Sequence, residues 1–183
     1  ASAGNATAHS NALYFSGYEP ANSAKSEAYD GTSWSEGPDL STGRGGARGF
    51  GVNTAAVCCA GSAPPAQNVT EEYDGSSWSS GGNLNTGRTS HNSFGTLTAG
   101  VASGGNEQGP AGYTTATELY NGTSWTTSPA TLPTAMHQGG IDGAGLQTAG
   151  LVAGGDGPGS PTTAAYEFDG EAWTAGGSLI TGA

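Results

Sequence analysis

Short apolar runs punctuated by glycine recur along the chain, at residues 12–17, 55–61, 99–105 and 149–155. Each is too short for a helix, and its apolar positions are continuous rather than spaced by three and four. That pattern predicts strands buried on both faces. Downstream of each run comes an aromatic, a turn and a Trp: Tyr29-Asp30-Gly31-Thr32-Ser33-Trp34, Tyr73-Asp74-Gly75-Ser76-Ser77-Trp78, Tyr120-Asn121-Gly122-Thr123-Ser124-Trp125 and Phe168-Asp169-Gly170-Glu171-Ala172-Trp173. Asp-Gly and Asn-Gly between strand-like runs mark hairpins, because both residues tolerate positive φ. A four-residue loop would set Tyr29 opposite Trp34, Tyr73 opposite Trp78, Tyr120 opposite Trp125 and Phe168 opposite Trp173. Aromatic cross-strand pairs of this kind stabilise a sheet by roughly 0.2–1 kcal/mol.

The tryptophans at 34, 78, 125 and 173 are 44, 47 and 48 residues apart. A Leu followed by a Thr closes each unit: Leu40/Thr42, Leu84/Thr86, Leu132/Thr134 and Leu179/Thr181. Landmarks in phase at a period of about 40–50 residues are the signature of a propeller blade or a similar array unit. Each unit reads as a meander of four short strands. The first is near residues 91–97 in the third unit, the second is the apolar run, the third ends at the aromatic and the fourth begins at the Trp. The expected fold is therefore all-β: a single domain, 1–183, of four repeats of about 44–48 residues forming a small four-bladed β-propeller. The approximate blades are 1–43, 44–87, 88–134 and 135–183. The units are in phase with both ends of the sequence, which predicts a closed disc in which the runs at 12–17 and 149–155 meet. It also predicts four equivalent, buried tryptophans.

Composition explains why this periodicity matters. Leu, Ile, Val and Phe are only 20 of the 183 residues, about 11%, below the roughly 20% under which chains tend to disorder. Gly alone accounts for 34. A core is affordable only if aromatics fill the space between sheets and Ala and Gly sit where sheets crowd, and only if units stack on one another. The net charge of -11, with four Lys plus Arg against 15 Asp plus Glu, excludes a phosphate-backbone binder and hence nucleic acid. No apolar run approaches the ~18 residues of a membrane span. No basic and apolar opening suggests a signal peptide.

Candidate chemistry is thin. Asp30, Asp74 and Asp169 share a hairpin position with Asn121, so a turn role is expected and not a metal or acid–base role. Glu27, Glu71 and Glu118 lie two before the aromatic, with Tyr166 in the fourth unit. Arg44 and Arg88 are equivalent, with Ala135 and Ala183 in the remaining units, and are expected to form structural ion pairs with a neighbouring Glu. His9, His91 and His137 fall out of register and predict no zinc site. Cys58 and Cys59, aligned with Val101 and Ala102, read as small hydrophobes; being adjacent on a strand they point apart. The connections after the apolar runs vary most in length, and length-variable loops on a repetitive frame are where binding usually sits. They offer Tyr18, Asn106, Glu107, Gln108 and Tyr113 as binding-face residues.

The residues Arg88, His91, 101–105, Tyr120 and Trp125 resemble a kelch repeat, with an aromatic-to-Trp gap shorter than usual and the full Gly pair in two units. The phrase Glu71-Glu72-Tyr73-Asp74-Gly75-Ser76-Ser77-Trp78, with residues 81–86 and 143–151, is similar to kelch-like β-propeller repeats of structural proteins of marine bacteriophages, especially cyanophages. The resemblance covers essentially the whole chain. It implies a non-enzymatic virion protein without cofactor: a fibre, tail or capsid-surface module on the virion surface. Its implied partners are other virion proteins and a host surface receptor or glycan, with homo-oligomers among the implied assemblies. The alternative is a cellular or extracellular kelch-like adhesin or scaffold that binds a peptide or glycan.

Overall fold

The computed structural model describes residues 2–3, 11–63, 65–107, 112–138, 141–158 and 160–182. Among them there is no helix. Four four-stranded antiparallel meanders follow one another. Blade 1 comprises β1 (Ser2–Ala3), β2 (Ala12–Phe15), β3 (Ser26–Tyr29) and β4 (Trp34–Glu36). Blade 2 comprises β5 (Arg48–Val52), β6 (Ala55–Cys59), β7 (Thr70–Tyr73) and β8 (Trp78–Ser80). Blade 3 comprises β9 (Asn92–Thr96), β10 (Ala99–Ser103), β11 (Thr117–Tyr120) and β12 (Trp125–Thr127). Blade 4 comprises β13 (Ile141–Leu146), β14 (Ala149–Ala153), β17 (Ala165–Phe168) and β18 (Trp173–Ala175). A two-stranded ribbon, β15 (Asp156–Gly157) and β16 (Ser160–Pro161), is inserted after β14. The chain is a β-propeller of four blades.

The hairpin turns follow the expected register. Tyr29 faces Trp34, Tyr73 faces Trp78, Tyr120 faces Trp125 and Phe168 faces Trp173. Their ring centroids are 5.2, 5.0, 4.8 and 4.8 Å apart. In each turn the first residue's side chain accepts two backbone N–H groups. Asp74 Oδ1, for example, takes those of Ser76 and Ser77, both at 2.8 Å, and Asn121 Oδ1 takes those of Thr123 and Ser124, both at 2.9 Å. These side chains are spent on the turn.

The Ser76 hydroxyl, then the backbone N–H groups of Ser76 and Ser77, hold the Asp74 carboxyl down at about 2, below its ordinary 3.8. A depressed folded-state value means that the carboxylate supports the turn fully above the ordinary range and loses that support as pH falls towards about 2. We expect the Ser77 amide signal to titrate in that window by NMR. Asp74→Asn should keep the turn, as Asn121 does, and remove the titration. An unchanged pH profile in the variant would refute the assignment.

Adjacent blades stack through their first strands. β1 lies beside β5, β5 beside β9, and β9 beside β13. Three core clusters fill the three junctions. Each junction places an aromatic of one blade edge-on against the Trp of the next: Phe15 on Trp78, Phe50 on Trp125 and Phe94 on Trp173, at 5.1, 6.1 and 6.2 Å. Gly100 and Gly150 make room for two of these rings, since a Cβ at either position would run into Phe50 or Phe94. The indole N–H of Trp125 donates to Thr70 Oγ1 and that of Trp173 to Thr117 Oγ1, both at 2.9 Å.

The expected closed disc is not seen among the described residues. Among the described residues no comparable contact joins β13 back to β1, and the runs at 12–17 and 149–155 do not meet in a shared sheet or core. Among the described residues the four repeats form an open arc. Its end blades lack a neighbour on one side, so equivalent residues differ in burial. Trp125 and Trp173 are buried, whereas Trp34 is 52% exposed. Leu40, Leu84 and Leu132 are buried, whereas Leu179 is not. The expectation of four equivalent buried tryptophans therefore fails at Trp34, which is exposed, and in part at Trp78, which is half-buried against Phe15; an indole in this fold is covered by the preceding blade and not by its own.

Candidate functional site

The basic side chains are built into the frame. Arg44 Nη2 donates to Glu71 Oε1 at 2.7 Å, and Nη1 to the carbonyls of Ala60 and Val69 at 3.0 and 2.8 Å. Arg88 repeats the arrangement with Glu118 Oε1 at 2.6 Å and the carbonyls of Gly104 and Ala116, both at 3.1 Å. The second carboxylate oxygens accept the backbone N–H of Ser41 at 2.8 Å and of Asn85 at 2.7 Å. All four side chains are buried. These pairs tie the end of one blade to the third strand of the next.

In blade 4 the carboxylate is replaced by Tyr166. The Arg position is held by Met136 and not by Ala135: the Met136 carbonyl accepts the Gly105 N–H at 2.8 Å, as the Arg44 and Arg88 carbonyls accept Gly17 and Gly61 at 2.9 Å. Met136 and Tyr166 are buried in one core cluster. An apolar pair thus stands where the other junctions hold an ion pair. Of the other two cations, Lys25 pairs with Glu36 at 2.6 Å and Asp39 at 3.3 Å, and Arg48 donates to the His91 carbonyl at 3.1 Å.

The cysteines and histidines are dispersed. Strand register sets Cys58 level with Ala102 and Cys59 with Ser103, one residue on from the alignment expected. Both thiols are buried and free, and burial pushes the Cys58 thiol up to about 12. Cys59 Sγ lies 3.4 Å from His91 Nε2, and burial keeps that imidazole neutral. His137 lies on the loop side, and His9 is outside the described residues. We expect neither cysteine of the native protein to react with a thiol reagent, since the nucleophile is the thiolate. Fast labelling without denaturant would contradict the burial.

The loops after the second strands share one face. On it, Tyr18 is 74% exposed and borders a groove of about 550 Å³ with Asn22, Ser62, Thr89 and Ser90. Asn22 Nδ2 donates to the Ser62 carbonyl at 2.6 Å, which fixes the groove wall between blades 1 and 2. The floor is stitched by backbone bonds at residues with left-handed geometry: Gly46, Ser90 and Gln138 have φ of 60, 53 and 50°. Ser90 N–H donates to the Gly46 carbonyl and Gln138 N–H to the Ser90 carbonyl, both at 2.8 Å. L side chains adopt such φ only where the surroundings over-determine it, and here the stitch joins blade 2 to blade 3 and blade 3 to blade 4.

Tyr113 stacks on His137 with centroids 4.0 Å apart, and His137 Nδ1 is 3.0 Å from the Asp156 carbonyl. Asn106 exchanges backbone hydrogen bonds with Thr89 at 2.9 Å each way, and the Glu107 N–H donates to the Gly112 carbonyl at 3.0 Å. Gln108 lies outside the described residues. The structure thus separates the expected loop residues into a groove beside Tyr18 and a stacked pair at Tyr113. The roles of Asn22, Ser90 and His137 on this face are not legible in the sequence. The one signal was Gly46, which marks the left-handed position.

No family model matches this chain, and no curated protein does. Among solved structures, that of YjhT aligns with a TM-score of 0.77 at 13% identity, covering 98% of this chain and 66% of that chain. The chain thus spans less than two thirds of the length of that structure. At this identity the likeness establishes the fold, that of a propeller.

Proposed function

We propose that this chain is a non-enzymatic display module whose loop face binds a neutral, polar ligand such as a glycan. The observation that carries the reading is the face itself: an exposed Tyr18 beside a groove of hydroxyl and amide groups, and a Tyr113–His137 stack, held on a rigid repetitive frame. Aromatic faces with convergent hydroxyl and amide groups suit sugar rings and their hydroxyls. The charged groups that could do chemistry are engaged elsewhere. Arg44, Arg88, Glu71 and Glu118 lock blade junctions, and Asp30, Asp74 and Asp169 cap turns. The resemblance to marine-phage repeats supplies the setting. The module stands on the virion surface as a fibre, tail or capsid-surface component, held by other virion proteins and contacting a host receptor or glycan.

Two measurements test this. Immunogold labelling of native particles with an antibody against the chain should decorate their surface; label confined to host or other cells would favour an adhesin and overturn the virion setting. On a glycan array, Tyr18→Ala and Tyr113→Ala should lower binding without changing the melting temperature. Binding unaffected by both would remove the loop face from the reading.

A further inference from the structure

Blade 1 carries, on the side away from blade 2, the glutamate and the tryptophan with which blades 2 and 3 receive a preceding blade. Glu27 occupies the position of Glu71 and Glu118, two before the aromatic, yet it is exposed where they are buried against arginine. Trp34 occupies the position of Trp78 and Trp125, yet among the described residues no aromatic of a neighbouring blade covers it. Glu27, Trp34 and Tyr14 line one shallow open pocket of about 270 Å³. An exposed indole beside an unpaired-side carboxylate, on a face whose equivalents are junctions, is an interaction surface.

We propose that this face docks a further blade of the same repeat type, one that ends in an arginine at the position of Arg44 and presents an apolar side chain to Trp34. The internal precedents define the chemistry. At two junctions the arginine closing one blade reaches the glutamate of the next, and an aromatic lies edge-on against the next Trp. A second copy of this chain offering blade 4 does not fit the requirement. Blade 4 has Ala144 opposite Leu151, where blades 2 and 3 pair Phe50 with Val57 and Phe94 with Val101. The sequence after Leu179 reaches Ala183 where Leu40 and Leu84 lead to Arg44 and Arg88. Ala12 also selects the neighbour. It stands at the position of Ala56, whose junction takes Phe15 from a second strand, and not at a glycine such as Gly100, which takes Phe50 from a first strand. The blade that fits is therefore one like blade 1.

The test joins a copy of residues 1–44 directly ahead of the full chain, which preserves the 44-residue spacing between Trp34 and Trp78. Hydroxyl-radical footprinting with mass spectrometry should then show oxidation of the original Trp34 falling several-fold, towards the rate of Trp125. Replacing the copied arginine by Ala, or Glu27→Ala in the original blade, should restore the oxidation. Trp34 as reactive as before, or an added blade that a protease removes at once, would overturn the proposal. A second measurement is independent of the copy. In the unextended chain, Trp34→Ala should leave the melting temperature nearly unchanged while Trp125→Ala lowers it sharply; equal losses would show that Trp34 is already an interior residue and end the argument.

Discussion

Replacing Arg88 by Met alone is expected to lower the unfolding free energy by about 3–5 kcal/mol, the usual cost of leaving one member of a buried ion pair without its partner. Glu118 would then be a buried carboxylate facing no cation, and the carbonyls of Gly104 and Ala116 would lose their donor. Replacing Glu118 by Tyr at the same time should recover most of that loss. The chain contains the precedent, since Met136 and Tyr166 occupy the same two positions at the last junction. Buried ion pairs exchanged for packed apolar groups are often neutral or stabilising. Urea denaturation of the two single variants and the double variant forms a complete cycle. A double variant no more stable than either single one would show that the arginine is needed for its backbone bonds and not for neutralising Glu118.

Trp125→Ala is expected to cost about 3–5 kcal/mol, the range for a buried aromatic truncated in a packed core. The indole is buried between Phe50 and Tyr120, and its N–H is satisfied by Thr70. Its removal opens a junction between two blades, so the loss is not confined to blade 3. Trp34→Ala makes the same chemical change at the equivalent repeat position. Among the described residues its ring contact is the cross-strand one with Tyr29, so the cost is expected to stay below about 1 kcal/mol. Thermal or urea unfolding of both variants reads the difference. Comparable losses would mean that the indole is held by its own hairpin and not by the neighbouring blade.

The frame of the loop face was partly legible in the sequence. Variable loop lengths pointed to Tyr18 and Tyr113, and both are exposed on that face. The groove beside Tyr18 was not legible, because its walls come from three blades and meet only through the stitch at Gly46 and Ser90. The Arg–Glu pairs were foreseeable as repeated opposite charges. Their counterpart in the last repeat was also within reach of the sequence, because Met136, not Ala135, follows Leu132 by the same four residues that separate Arg44 from Leu40 and Arg88 from Leu84, and the backbone bonds agree.

The sequence by itself determines the blade. Asp-Gly and Asn-Gly turns, the fixed aromatic-to-Trp interval and the short apolar runs are local signals. A hairpin's register depends on the few residues in and beside its turn, so four repeats of one phrase specify four like meanders. What only the tertiary structure decides is how blades meet. Whether an indole or a leucine is interior depends on a neighbour distant in the chain, which is why Trp34 and Leu179 carry the repeat's residues without the repeat's burial. Closure is likewise a property of the stacking angle accumulated over all junctions, set by side chains such as Phe15, Phe50 and Phe94 against the next blade. A repeat pattern encodes each step of that stacking but not the number of steps that completes a ring.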